Sequence, residues 1–201
     1  MELTALSRPA PATIAVVGNQ APLAGLATPD AELASRIAAG EEAAIRRLIE
    51  DHQGVVNSFL RRRLRDPRDL EEVLQDVFVA AWRAAGRFRP DGRLRPWLLG
   101  IAYHLAVSRL RSLKTPDPLP DALADGGPGP ADNAAAAQLR ERVRQAVAAL
   151  PLRQREVIAL RFLDELSCEE AAEILGVPVG TVKSRTHAAI KSLAGTLETQ
   201  R

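Results

Sequence analysis

Aromatic residues supply only 3% of this 201-residue chain, and cysteine, methionine and tyrosine occur once each. A lone cysteine excludes an internal disulfide, so the fold must be held non-covalently, and the composition suits a reducing cytoplasm. No run approaches the roughly 18 consecutive apolar residues of a membrane span, and insertion into a bilayer is not expected. Tyr, Phe and Thr are scarce whereas Ala, Leu, Arg and Glu abound, a balance that argues for an all-α protein. Patterns that carry chemistry are also missing. His52, His104 and His187 fall in three different predicted elements, outside H-E-x-x-H or any other metal-ligand spacing. There is neither a glycine-rich phosphate loop nor a nucleophile elbow. No metal, cofactor or catalytic residue is therefore expected, and the chain does not read as an enzyme. Cys168 lies in the first turn of a predicted helix, where a thiolate is favoured, but a small residue that simply fits is the plainer reading.

What is present is helical periodicity, interrupted once. From Thr115 to Ala137 the chain holds Pro116, Pro118, Pro120, Pro128 and Pro130, three glycines and four aspartates (Asp117, Asp121, Asp125, Asp132), without a cation. Such a stretch cannot form a helix or a central strand and has too little apolar bulk to pack. It reads as a flexible acidic linker whose ends lie about 25 Å apart as a random coil, so two domains could grip separate places on one large partner. The expected organisation is a disordered extension over residues 1–28, a helical bundle over 29–113, the linker over 114–137, a four-helix domain over 138–195 and a tail over 196–201. Pro9, Pro11 and Pro22 break up the extension, and no basic segment precedes an unbroken apolar core as in a signal peptide.

In the first domain Asp30 is placed to cap a short helix bearing Leu33 and Ile37, which Gly40 ends. A longer helix follows with Ile45, Leu48, Ile49, Val55, Val56, Phe59 and Leu60, weakened at Gly54. Arg61, Arg62 and Arg63 close it, where cations suit the negative end of the helix dipole. Asp66 and Pro67 read as an N-cap and a first-turn proline. They open a third helix with a stripe of Leu70, Val73, Leu74, Val77, Phe78, Ala81 and Trp82, while Asp69, Glu72 and Asp76 share another face with Gln75. The fourth helix carries Trp97, Leu98, Ile101, Ala102 and Leu105. In the second domain Leu139, Val143, Val147 and Leu150 build a helix that Pro151 terminates, and Val157, Ile158, Leu160 and Phe162 sit on the next.

Two helical patterns then meet across a glycine turn between Leu166 and Leu193. Ser167 and Glu170 form a capping box, Leu166 can staple onto Ala171, and Gly176 supplies a left-handed end. After Val177 and Pro178 a second helix places Val182, Ala189, Ile190 and Leu193 at core spacing. Its other face presents Thr181, Lys183, Ser184, Arg185, His187 and Lys191, hydroxyls and cations suited to phosphates and major-groove base edges. This is the order of a DNA-reading helix-turn-helix. Upstream, residues 83–114 hold eight cations against Asp91 alone, a local charge of +7. There Phe88, Trp97 and Tyr103 are interleaved with Arg87, Arg89, Arg93, Arg95, Arg109 and Arg111. Rings for stacking beside cations for phosphates suit single-stranded nucleic acid, although Trp97 also has core spacing with Ile101.

DLEEVLQDVFVAAWR, from Asp69 to Arg83, resembles the second conserved region of bacterial sigma factors, and PLRQREVIALRFLDELSCEEAAEILGVPVGTVKSR, from Pro151 to Arg185, resembles their fourth. With no third region between them, the match is to the extracytoplasmic-function group. The resemblance implies a subunit that binds core RNA polymerase and directs transcription initiation without catalysing a reaction. Carried over by position, Asp69, Glu72, Gln75 and Asp76 would dock on the beta-prime clamp helices, and the beta flap would be a further polymerase contact. The loop from Phe88 to Arg95, with Arg87, would capture an unpaired base of the minus-ten promoter element, and the helix from Trp97 to Arg111, with His104, Arg109 and Arg111, would bind there too. Thr181, Lys183, Ser184, Arg185 and His187 would read duplex DNA at the minus-thirty-five element, and an anti-sigma protein would be a further partner. The family usually has Arg-Asn, and a few residues later Asp, where this chain has Tyr103, His104 and Ser108. It commonly has basic residues where Ala188 and Ile190 stand, so phosphate contacts should be fewer and salt dependence flatter. The alternatives are a stand-alone helix-turn-helix regulator, which would need neither the acidic helix nor the aromatic-basic loop, and a degenerate relative that acts by protein contact.

Overall fold

The computed structural model describes residues 28–113 and 134–199. The extension, apart from Thr28, and the proline-rich part of the linker lie outside the described residues. Eight α-helices follow in order: α1 Pro29–Ala38, α2 Glu42–Arg61, α3 Pro67–Ala84, α4 Leu94–Ser112, α5 Ala134–Ala148, α6 Leu152–Ile158, α7 Cys168–Leu175 and α8 Val179–Thr199. A short 3-10 turn, Ala85–Arg87, leads out of α3, and a π-type turn, Ala159–Leu163, continues α6. No strand occurs among the described residues, and no helix there is long and apolar enough to cross a membrane.

Several boundaries differ from expectation for local reasons. Thr28, not Asp30, caps α1, accepting a hydrogen bond from Ala31 N at 3.1 Å. Asp30 instead accepts from Leu94 N at 2.8 Å and so satisfies an orphan donor at the start of α4. Gly54 does not interrupt α2, because burial of Leu48, Val56, Phe59 and Leu60 outweighs a propensity cost of about 1 kcal/mol. Helix α5 begins at Ala134, inside the span expected to be linker, because a run of alanines is the best helix former. At the other end α8 continues through residues assigned to the tail.

Helices α1 to α4 form a bundle around Leu48, Val56, Phe59, Leu60, Val77, Leu98 and Leu99, each almost fully buried. Trp82, expected in this core, is 49% exposed, because the stripe on α3 is wider than the face that α2 and α4 cover. In the second half α6 and α5 pack on α8, and Leu150, Ile158 and Ala189 close their contact. Ile190 and Phe162 were also expected to be core and are about half exposed. Ala189 alone fills the inward position of that turn of α8, and the π-type turn rotates Phe162 outwards.

Between α4 and α7 the two halves meet. Val157, Leu160, Leu166, Ala171, Ala172, Ile174 and Val182 belong to the same buried cluster as the first bundle. Helix α4 is consequently covered on two sides, with Leu94, Leu98, Leu99, Ile101, Ala102, Tyr103, Ala106 and Leu110 all buried. A helix apolar around most of its circumference needs such cover.

The capping box is formed as read: Glu170 N donates to Ser167 Oγ at 3.0 Å and Ser167 N to Glu170 Oε2 at 2.7 Å. Gly176 ends α7 at φ 63° in the left-handed region, where a Cβ would be strained. Replacing Ser167 by Ala should lower the urea-unfolding free energy by about 1 kcal/mol; unchanged stability would show that the cap does not hold α7.

Candidate nucleic-acid interface and acidic helix

The hydroxyls and cations of α8 are set by what the opposite face must bury. Val182 and Ala189 are fully buried against the rest of the domain. Lys183, Ser184, His187 and Lys191 consequently face solvent, with Thr181 and Arg185 half-buried beside them. Ser184 Oγ donates to Thr181 O at 3.1 Å and Thr186 Oγ1 to Val182 O at 2.8 Å, so these hydroxyls retain lone pairs for outside donors. None of Lys183, Arg185 and Lys191 is engaged in an ion pair among the described residues, which leaves their charge available to phosphate. Ala188 and Ile190 are exposed in the same helix and dilute its charge.

The aromatic-basic loop is ordered by a tight turn. Gly92 N donates to Arg89 O at 2.9 Å, and a Cβ on Gly92 would fall 3.0 Å from both that carbonyl and the edge of Phe88. Phe88 in turn meets Trp97 edge to face at 5.1 Å, and both rings are half-buried. Arg87 is exposed, and Arg89 forks onto Asp91 at 3.1 and 3.2 Å. That hydrogen-bonded pair holds the Asp91 carboxyl below its usual range and raises the Arg89 guanidinium. Arg93 and Arg95 are turned towards the second domain: Arg93 pairs with Glu170 at 3.2 Å, and Arg95 Nη2 donates to the Asp164 carbonyl at 2.8 Å. His104 and Arg111 are exposed on α4, and partial burial followed by the nearby Arg111 charge lowers the His104 pKa.

The acidic face of α3 divides. Glu72, Gln75 and Asp76 are exposed, with Val79 and Trp82 following at helical spacing. Asp69 is buried and does not share that face: Arg109 Nε donates to it at 2.8 Å, and Arg109 also reaches Glu72 at 3.0 Å. Hydrogen bonding to Asp69 raises the Arg109 pKa. Two residues read as partner contacts are thus spent largely on each other, joining α3 to α4. Their charges cancel locally, and no sequence spacing signals a pairing forty positions apart. Val79 and Trp82 are the reverse case, apolar residues that belong to the open face and that helical periodicity alone assigned to the core or left unremarked.

An exposed cationic helix that follows a helix-turn-helix turn, with a second helical unit bearing an aromatic-basic loop, fits a protein of the sigma class. The pattern of Sigma-70 region 2 matches residues 48–115, and that of Sigma-70, region 4 matches residues 140–193. The chain is 34% identical over 165 residues to the ECF RNA polymerase sigma factor SigM of Mycobacterium tuberculosis H37Rv, covering 82% of this chain and 83% of SigM. It is 30% identical over 161 residues to SigW of Bacillus subtilis, covering 74% and 86% respectively. The solved structure of CnrH in complex with the cytosolic domain of CnrY superimposes with a TM-score of 0.60 at 28% identity, covering 86% of this chain and 99% of CnrH. The chain belongs to the ECF RNA polymerase sigma factors and acts in transcription initiation.

Gly92→Ala should push Phe88 off Trp97, because the added methyl meets a backbone carbonyl that cannot yield cheaply. The expected result is a shifted tryptophan emission with the helical circular dichroism kept; an unchanged emission spectrum would contradict the role given to Gly92.

Proposed function

We propose that the two halves divide promoter recognition between them. Lys183, Arg185 and Lys191 hold phosphates of the minus-thirty-five duplex, and Thr181, Ser184 and His187 approach its base edges in the major groove. Arg87, Phe88, Arg89, Arg93 and Arg95, with Trp97, His104 and Arg111, engage the melted strand of the minus-ten element. The observation that supports this most directly is the row of unpaired cations on α8 above fully buried Val182 and Ala189.

The open face of α3, Glu72, Gln75 and Asp76 with Val79 and Trp82, is assigned to the beta-prime clamp helices of core polymerase. Carboxylates rimming an exposed tryptophan are suited to a protein groove. Asp69 is withdrawn from that set and positions Arg109, leaving Arg109 an indirect part in strand binding. The second domain is assigned to the beta flap, the protein acts in the cytoplasm without catalysing a reaction itself, and an anti-sigma protein is its expected regulator. That CnrH was solved in complex with a cytosolic domain accords with such regulation.

Asp76→Arg should weaken association with core polymerase roughly tenfold or more, about 1.4 kcal/mol or greater, while leaving binding to a minus-thirty-five duplex intact. Equal loss of both activities would contradict the division of labour. Changing Lys183 and Arg185 to Ala should cost about 1 to 3 kcal/mol per base contact in duplex binding and reduce its salt slope. Unaltered affinity and slope would reject α8 as the reading helix.

A further inference from the structure

Helix α4 leaves one narrow strip open to solvent, and the strip continues the line of the aromatic pair. His104, Ser108 and Arg111 are exposed, and counted from Trp97 they stand 7, 11 and 14 residues along the helix. At 3.6 residues per turn these offsets fall within about 60° of one another, so the strip runs nearly straight towards the carboxyl end of α4. Tyr103 fixes the first of them. Its O–H is turned to another side and donates to Glu156 Oε1 at 2.9 Å, with both residues buried, while its ring meets the His104 imidazole edge to face at 5.5 Å. Ser112 turns its hydroxyl onto Arg109 O at 2.7 Å, and Arg109 is held by Asp69 and Glu72. His104, Ser108 and Arg111, by contrast, have neither a hydrogen-bond nor an ion-pair partner among the described residues.

These three residues include no carboxylate. Where the family usually has Asn and Asp, His104 and Ser108 place an imidazole N–H and a hydroxyl one helical turn apart, and Arg111 adds a guanidinium that donates and never accepts. An aspartate at the Ser108 position would accept from the amino group of cytosine. Donors favour the opposite kind of edge. Guanine presents two acceptors, N7 and O6, side by side, whether it is paired in the major groove or unpaired, and two neighbouring donors match them. Adenine sets an amino donor beside its one acceptor, and the Arg111 charge opposes that donor.

Helix geometry sets where that base lies. At a rise of about 1.5 Å per residue, the midpoint between His104 and Ser108 is about 13 Å along α4 from Trp97. DNA advances about 3.4 Å per base step, so this distance spans roughly four steps from a base held beside Phe88 and Trp97. The far end of α4 leads into the linker and on to the domain assigned to the minus-thirty-five duplex, so the steps run upstream. We propose that His104 and Ser108 form a base-reading subsite for guanine about four positions upstream of the captured minus-ten base, with Arg111 on a phosphate beyond it. The subsite rests on the strand-capture assignment above, because its position is counted from the captured base.

The test uses run-off transcription by core RNA polymerase with the full-length chain, first from genomic fragments and then from the strongest promoter found, randomised across its minus-ten region. Sequencing the transcripts gives the base preference at each position. Wild type should favour guanine over the other bases about tenfold at a position about four upstream of the most strongly selected minus-ten base. The double variant His104→Ala, Ser108→Ala should lose that preference and keep the rest of the element, and Ser108→Asp should move it from guanine to cytosine. Both positions are exposed, and a wild-type circular dichroism spectrum checks that each variant folds. Phe88→Leu should instead blunt selection at the captured base. A wild type with no guanine preference at that place would overturn the subsite, as would a preference that survives both changes. If those changes do nothing while Phe88→Leu acts as expected, strand capture stands and the guanine subsite falls. If Phe88→Leu leaves selection unchanged at every position, the strand-capture assignment falls and takes the counted spacing with it. An absence of start sites that depend on the chain would overturn both.

Discussion

Helix α4 has almost no face that it can leave in water. Only His104, Ser108, Arg111 and Ser112 along it are well exposed, and its buried residues point both into the first bundle and towards α7. One side is satisfied permanently by α2 and α3. The other needs a cover, which the helix-turn-helix supplies here through Leu166, Ala171 and Ile174. The relation between the two halves follows from that need.

Arginine is used in two ways across this structure. Arg62, Arg63 and Arg109 are internal ties, each gripping a buried or half-buried carboxylate. Arg87 and Arg111 remain exposed, and Arg93 and Arg95 stand between the two uses, paired across the seam yet only partly withdrawn from solvent. A guanidinium suits both tasks because its planar donors match carboxylate and phosphate alike. Local charge density therefore overstates the cation available to nucleic acid: of the eight positive residues between 83 and 114, Arg89 and Arg109 are committed to nearby carboxylates.

Short-range signals in the sequence proved legible where the physics is short-range. The Ser167–Glu170 box, the left-handed Gly176, the Asp66 cap and the inward Val182 and Ala189 each depend on neighbours within a turn or two, and each stands as read. Features set by distant partners did not. The Arg62, Arg63 and Asp164 clasp joins residues a hundred positions apart, and Arg62 and Arg63 looked like ordinary dipole-end cations. Asp69 shared a helix face with Glu72 by spacing, but packing against α4 buried Asp69 and left Glu72 exposed, with Arg109 reaching both. Trp82 and Phe162 were misplaced for a different reason: apolar spacing reports which side chains could be buried, and the width of the covering element decides which are. The departure at Tyr103 was visible from the motif, while its contact with Glu156 became visible only once α6 was placed beside α4.

Promoter-directed initiation by core polymerase is the property on which these assignments converge. The most direct measurement is run-off transcription from a library of genomic fragments with core RNA polymerase, with and without the purified full-length chain, followed by sequencing of transcript 5′ ends. Start sites that depend on the chain and are preceded by two shared sequence elements at fixed spacing are the predicted result. Transcripts indistinguishable from those of core polymerase alone, with no shared upstream elements, would contradict the account.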